Sequence, residues 1–125
     1  MKNVVDKIEA FGNHNIILTE RGYTFGYNNL VVDMRAIPIM QSLGYPVCFD
    51  GTHSVQLPGG LGNMSSGQRN MIPCLSKAAI AAGANAIFLE SHPNPKEAKS
   101  DAMSVMDFKD LKPLLMTLKA IFAVV

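Results

Sequence analysis

Pro46-Val47-Cys48-Phe49-Asp50-Gly51-Thr52-His53 decides the fold. A strand wetted on one face alternates apolar with polar residues. A short unbroken apolar run that stops on polar residues is instead the pattern of a parallel strand covered on both faces. Working outward, the same unit recurs on either side. Upstream, Asn15-Ile16-Ile17-Leu18-Thr19-Glu20 is a β-branched run ending on a carboxylate; downstream, Ala86-Ile87-Phe88-Leu89-Glu90 ends the same way.

Helical periodicity fills the intervals. Residues 2–11 place Val4, Val5, Ile8 and Phe11 at helical spacing, and Gly12-Asn13-His14 stops the helix. Residues 31–42 offer Met34, Ile37 and Met40 for burial, although Pro38 weakens that helix, and Gly44-Tyr45 ends it. A third helix covers 68–82 and stops at Gly83-Ala84-Asn85. The last, about 108–124, lines up Leu111, Leu114, Leu115, Leu118, Ile121 and Phe122, with Pro113 expected in its first turn.

The connections are lopsided. Helix-to-strand links take two or three residues, whereas the strand-to-helix segments 21–29, 51–68 and 91–106 are long. Long loops at the carboxyl ends of parallel strands are where α/β folds build their sites. The segment Gln56 to Arg69, with Gly59, Gly60 and Gly62, reads either as a mobile lid or as a merely flexible loop; it lacks the spacing of a nucleotide P-loop. The layout is α/β, one domain over residues 1–125. Three β/α units leave two apolar outer edges, so the sheet is expected to be part of a larger one.

Composition sets further bounds. At 48% hydrophobic and 17% charged, the chain is a globular one. A net charge of +1 argues against nucleic acid or a membrane surface as partner, and no apolar stretch is long enough to span a bilayer. The first residues carry no apolar leader segment and read as an amphipathic helix. Cys48 and Cys74 have no neighbouring cysteine, and both are expected to be free, mostly buried thiols.

The chemistry-bearing residues stand at the strand ends. Asp50 and His53 follow the second strand, Glu90 ends the third, and Asp101 lies in the loop beyond it. One imidazole and two carboxylates on adjacent strand ends make a ligand set for a divalent ion of the Zn, Fe or Mn type. The plainer alternative is a structural histidine beside solvated carboxylates. Arg21 follows the first strand end directly, where a guanidinium suits a phosphate or carboxylate, unless it simply pairs with Glu20.

Longer motifs add a resemblance. Thr19-Glu20-Arg21-Gly22-Tyr23-Thr24-Phe25-Gly26-Tyr27-Asn28-Asn29-Leu30-Val31-Val32-Asp33, Asp50-Gly51-Thr52-His53-Ser54-Val55-Gln56-Leu57-Pro58-Gly59-Gly60 and Leu89-Glu90-Ser91-His92-Pro93 with Ser100-Asp101-Ala102 resemble, in order and spacing, the segments after strands six, seven and eight of the 3-deoxy-D-manno-octulosonate 8-phosphate synthases. Heptulosonate-phosphate synthases share the Glu-Arg-Gly, Thr-His-Ser and His-Pro elements but are not expected to share Phe25 to Asp33.

The resemblance implies the C-terminal half (units 6–8) of a TIM (β/α)8 barrel, with the N-terminal strands missing. It implies a cytoplasmic transferase that condenses phosphoenolpyruvate with arabinose 5-phosphate for lipopolysaccharide synthesis, a homotetramer in its complete form. It further implies His53, Glu90 and Asp101 as metal ligands, His53 and Asp101 as catalytic residues, and Arg21, Asp50 and Gln56 as substrate-binding residues. Ser100-Asp101-Ala102 resembles the metal-dependent branch. The fourth ligand of that branch, a first-strand cysteine, has no counterpart here. Neither do the phosphoenolpyruvate lysines or the Asn-Arg-Ser loop, so the chain alone is expected to be inactive. The alternatives are a fragment of a heptulosonate-phosphate synthase and a non-catalytic half-barrel that associates with another chain.

Overall fold

The computed structural model describes residues 1–61 and 64–125, with side chains outside 59–65. The elements run α1 (Lys2–Ala10), β1 (Leu18–Glu20), β2 (Tyr23–Thr24), β3 (Leu30–Val31), α2 (Ala36–Gln41), β4 (Val47–Asp50), β5 (Gln56–Leu61), β6 (Met64–Gly67), α3 (Ile72–Ala81), β7 (Ala86–Phe88), β8 (Ser91–His92), β9 (Met106–Asp107) and α4 (Phe108–Phe122). The central sheet has the order β1-β4-β7 and is parallel throughout. Leu18 pairs with Val47 and Glu20 with Phe49; on the other side Cys48 pairs with Ala86 and Asp50 with Phe88. This register brings all three carboxyl ends to one rim.

The expected burial of both sheet faces is corrected. Val47 and Phe49 are fully buried with Leu18 on the face that the helices cover. On the opposite face Thr19, Ala86 and Phe88 are exposed and Cys48 is only half-buried. Side chains in a strand alternate between faces, so one face is covered by α2 and α3, with α4 packed on α3, and the other face is left open. β1 and β7 are edge strands among the described residues, as the count of three units anticipated.

Two long strand-to-helix segments are structured rather than loose. Residues 21–31 hold the antiparallel ribbon β2–β3, so the helix expected over 31–42 shrinks to Ala36–Gln41. Val31 is drawn into that ribbon opposite Tyr23. Asp33 Oδ1 then accepts the Arg35 backbone N–H at 3.0 Å, a local turn that starts the helix late. Pro38 falls in the resulting first turn and costs it no hydrogen bond. Pro113 is the opposite case. It lies inside α4, beyond the first turn expected for it, because Asp107 caps the helix and starts it at Phe108.

The segment 56–69 is a hairpin, β5 with β6, and not an open loop. Gly62 and Asn63, part of the expected lid, lie outside the described residues. No helix among the described residues is long and apolar enough to cross a membrane.

Cys74 is exposed, against expectation, because α3 turns Ile72, Ser76, Ala79 and Ile80 inward and leaves position 74 on its outer side. Cys48 is half-buried and burial raises its thiol pKa, with the Asp50 charge adding to the effect. Thiolate is the reactive form, so in the native protein at neutral pH one equivalent of a thiol reagent should react fast. Cys74→Ser should abolish that fast phase, and a fast phase surviving in Cys74→Ser would contradict the assignment.

Candidate metal centre

The site begins with the turn that ends β4. Asp50 Oδ1 accepts the backbone N–H groups of Thr52 (3.1 Å) and His53 (2.9 Å), which folds the chain back over the rim. The other oxygen, Oδ2, lies 2.7 Å from His53 Nδ1. With Asp50 ionised, that contact places the proton on Nδ1 and leaves the Nε2 lone pair free. Phe88 stacks on the imidazole at 5.8 Å between ring centroids and limits its rotation.

Nε2 faces two carboxylates. Glu90 Oε2 is 3.7 Å away and Asp101 Oδ2 is 4.0 Å away. One ligand atom from each of His53, Glu90 and Asp101 falls within 4.8 Å of the others. Tetrahedral bonds of ordinary zinc length would set neighbouring donors about 3.4 Å apart, so the donor set is on the scale of a small divalent ion. The His53 ring and the Asp101 carboxylate each have an orienting contact, and Glu90 is anchored through its backbone. The Glu90 backbone N–H donates to Thr52 Oγ1 at 2.8 Å, and Gln56 Nε2 donates to Asp101 Oδ1 at 2.7 Å, which leaves Oδ2 turned to the imidazole. Ligands held by outer hydrogen bonds are the usual construction of a metal site. The residues fit a divalent cation.

Three elements bring these groups together. β4 and β7 are adjacent in the sheet, so their ends are neighbours. Leu89 and Glu90 leave the ladder that the sequence extended through them, and the Glu90 carbonyl accepts the Met106 N–H at 2.9 Å. Asp101 is carried on the loop between β8 and β9, with a left-handed backbone at φ 48°, a conformation that aspartate tolerates better than most residues.

Thr52 was not singled out in the sequence. It is fully buried, and its hydroxyl fixes the Glu90 backbone. A threonine between two chemical residues carries no pattern of its own, and only the cross-strand contact reveals it.

Arg21 stands at the same rim, one residue past the Glu20–Phe49 pair, and is exposed. It does not pair with Glu20, whose Oε1 instead accepts the Gly22 N–H at 2.5 Å. Gly22 has φ +83°, and a Cβ there would lie 2.8 Å from the Val31 carbonyl oxygen. Gly22→Ala should therefore cost at least the ~1–2 kcal/mol of a left-handed backbone, read as a lower urea midpoint. An unchanged midpoint would mean that the ribbon has moved aside.

The model of the DAHP synthetase I family matches residues 1–124. Along all 125 residues the chain is 67% identical to a protein named 2-dehydro-3-deoxyphosphooctonate aldolase from Protochlamydia amoebophila. It is 60% identical to one of the same name from Pelobacter propionicus and 57% to one from Geobacter sulfurreducens. In each case it spans 46% of the relative's length. On a match that runs through every strand end described above, the chain belongs to the DAHP synthetase I family.

Proposed function

We propose that the chain supplies the metal-binding rim of a synthase that condenses phosphoenolpyruvate with arabinose 5-phosphate to 3-deoxy-D-manno-octulosonate 8-phosphate and phosphate. This is the reaction of lipopolysaccharide precursor synthesis that its relatives' name denotes. The observation that carries the reading is the convergence of His53 Nε2, Glu90 and Asp101 on the rim of a parallel sheet. In this proposal the three strands are units 6–8 of a (β/α)8 barrel, and the open sheet face that bears Cys48 and Phe88 looks into the barrel. The complete protein would be a cytoplasmic homotetramer.

Each side chain then has a task. Arg21, exposed beside Asp50's strand, binds the phosphate of phosphoenolpyruvate with a charge-assisted pair. Asp50 keeps the His53 proton on Nδ1. His53, Glu90 and Asp101 hold a divalent ion, and Gln56 fixes the carboxylate of Asp101 at the edge of the substrate space. A divalent ion bound there would supply Lewis acidity towards the aldehyde or the attacking water. In this reading His53 and Asp101 are the catalytic residues, acting through the ion they would hold.

Bringing two phosphorylated substrates into reacting geometry requires groups on both sides of them, and this rim provides one side. The test compares the 125-residue chain alone, with Mn2+ or Zn2+, against the chain co-refolded with the remaining part of the Protochlamydia relative. The expected result is phosphate release that needs phosphoenolpyruvate, arabinose 5-phosphate and metal in the second sample, and none in the first. Release with erythrose 4-phosphate in place of arabinose 5-phosphate would point to heptulosonate chemistry. No release from the paired sample, with both parts folded, would refute the reading.

A further inference from the structure

Asp101 differs from the other two candidate ligands in what carries it. His53 and Glu90 lie within three residues of the ends of sheet strands, whereas Asp101 sits in the middle of a loop with a left-handed backbone. Something must hold that loop against the rim. Its own turn accounts for the downstream side: the Asp101 carbonyl accepts the N–H groups of Ser104 (2.8 Å) and Val105 (3.0 Å). The β8–β9 pairing ties down its two ends, and the β5–β6 hairpin contacts the loop around Asp101 itself.

At the hairpin's start, Gln56 donates to the Asp101 carboxylate. Just past its end, Arg69 Nη2 donates to the Ala102 carbonyl, one residue beyond the ligand. Between them Gly67 presses on the loop: a Cβ at Gly67 would lie 3.0 Å from Ser104 Cβ and 3.3 Å from the Met103 backbone carbon. Arg69 is a costly choice for packing alone. Its Nε is buried without a hydrogen-bond partner among the described residues, and an unpaired buried donor is destabilising. A guanidinium kept in that position is explained by the bond it makes to Ala102, the one its side chain makes among the described residues.

We infer that Arg69 is a positioning residue for Asp101, acting through the Ala102 carbonyl, so that the hairpin sets the geometry of the metal centre. This rests on the metal reading above. Arg69 touches neither ligand atom nor substrate space, and its effect should show in metal affinity and ligand geometry.

The test uses the full 125-residue chain with Co2+ as a spectroscopic probe and Zn2+ as competitor. Arg69→Ala should weaken Co2+ binding by about tenfold or more, the scale of losing an outer-shell contact, and should alter the visible Co2+ absorption bands. The metal-free far-UV circular dichroism should stay as in the wild type. Arg69→Lys, which restores one donor, should recover part of both. Gly67→Ala gives an independent arm should Arg69→Ala fail to fold, since it pushes the loop without removing any polar group. It should weaken Co2+ in the same way. Wild-type affinity and spectrum in a folded Arg69→Ala, or in Gly67→Ala where Arg69→Ala does not fold, would overturn the inference and leave the metal reading standing. Absence of Co2+ binding by the wild-type chain would overturn both.

Discussion

His53→Ala should abolish specific divalent-metal binding by this chain, with a loss on the order of a hundredfold or more, beyond the 10–100-fold typical of an outer-shell partner. The reason is the imidazole's central place. Nε2 is the atom that both carboxylates face, at 3.7 Å and 4.0 Å. Without it two carboxylates remain on a half-exposed rim, an arrangement that exposed acidic groups reach without binding anything firmly. Asp50→Asn sharpens the test because it keeps size and removes only charge. The backbone N–H groups of Thr52 and His53 can still donate to an amide oxygen, but the group facing Nδ1 becomes an NH2 donor. The imidazole must then accept at Nδ1 and carry its proton on Nε2, where it blocks the lone pair. The expected loss is about 10–100-fold. Isothermal titration with Zn2+ or Mn2+ reads both variants; wild-type affinity in His53→Ala would remove the metal centre from consideration.

The second large effect concerns the sheet itself. Phe49 is fully buried in the middle strand, and β4 is the only strand of the central sheet paired on both sides among the described residues. Phe49→Ala should cost about 3–5 kcal/mol through lost apolar burial and the cavity left behind. A domain's total stability is about 5–15 kcal/mol, and here one sheet face is uncovered and both edges are open. The variant should lose cooperative unfolding in urea or unfold below room temperature. Ile17→Ala is the natural control, since Ile17 is 64% exposed although it belongs to the same kind of apolar run; its midpoint should barely move. Equal losses in the two would mean that the burial assignment of the sheet is wrong.

Ile17 also shows where sequence reading runs out. Among the described residues, periodicity and the glycine stops located the four α-helices, α2 only in part, and each central strand, because helical spacing and left-handed glycines are local properties of the chain. They did not distinguish Ile17, which faces outward, from Ile16, which is 8% exposed. Both precede β1, which begins only at Leu18 and not at Asn15, and the difference depends on which elements lie over this lead-in segment, a non-local fact. The same limit explains the short α2. Val31 has the composition of a helix face and of a strand alike, and pairing with Tyr23 decides between them. A lone cysteine in a helical run is expected to be buried, and the helix rotation that turns Cys74 outward is fixed by what α3 packs against.

For the site the division is similar. Strand ends that finish on Asp50 and Glu90, with His53 and Asp101 in the loops beyond, were legible because parallel strands place their carboxyl ends on one rim. The residue types then named a cation. What the sequence left open was whether those four groups meet, and with which partners. Folding decided that the Asp50 carboxylate is spent on His53 and two backbone N–H groups, that Thr52 holds Glu90, and that Gln56 and Arg69 reach across 45 and 33 residues to the Asp101 loop. The sequence by itself determined the alternating α/β layout and the inventory of ligand types, since both follow from local spacing and side-chain chemistry. Only the tertiary structure decided their convergence, because a separation of about four ångströms between residues 53, 90 and 101 is set by sheet register and hairpin packing, which no local pattern encodes.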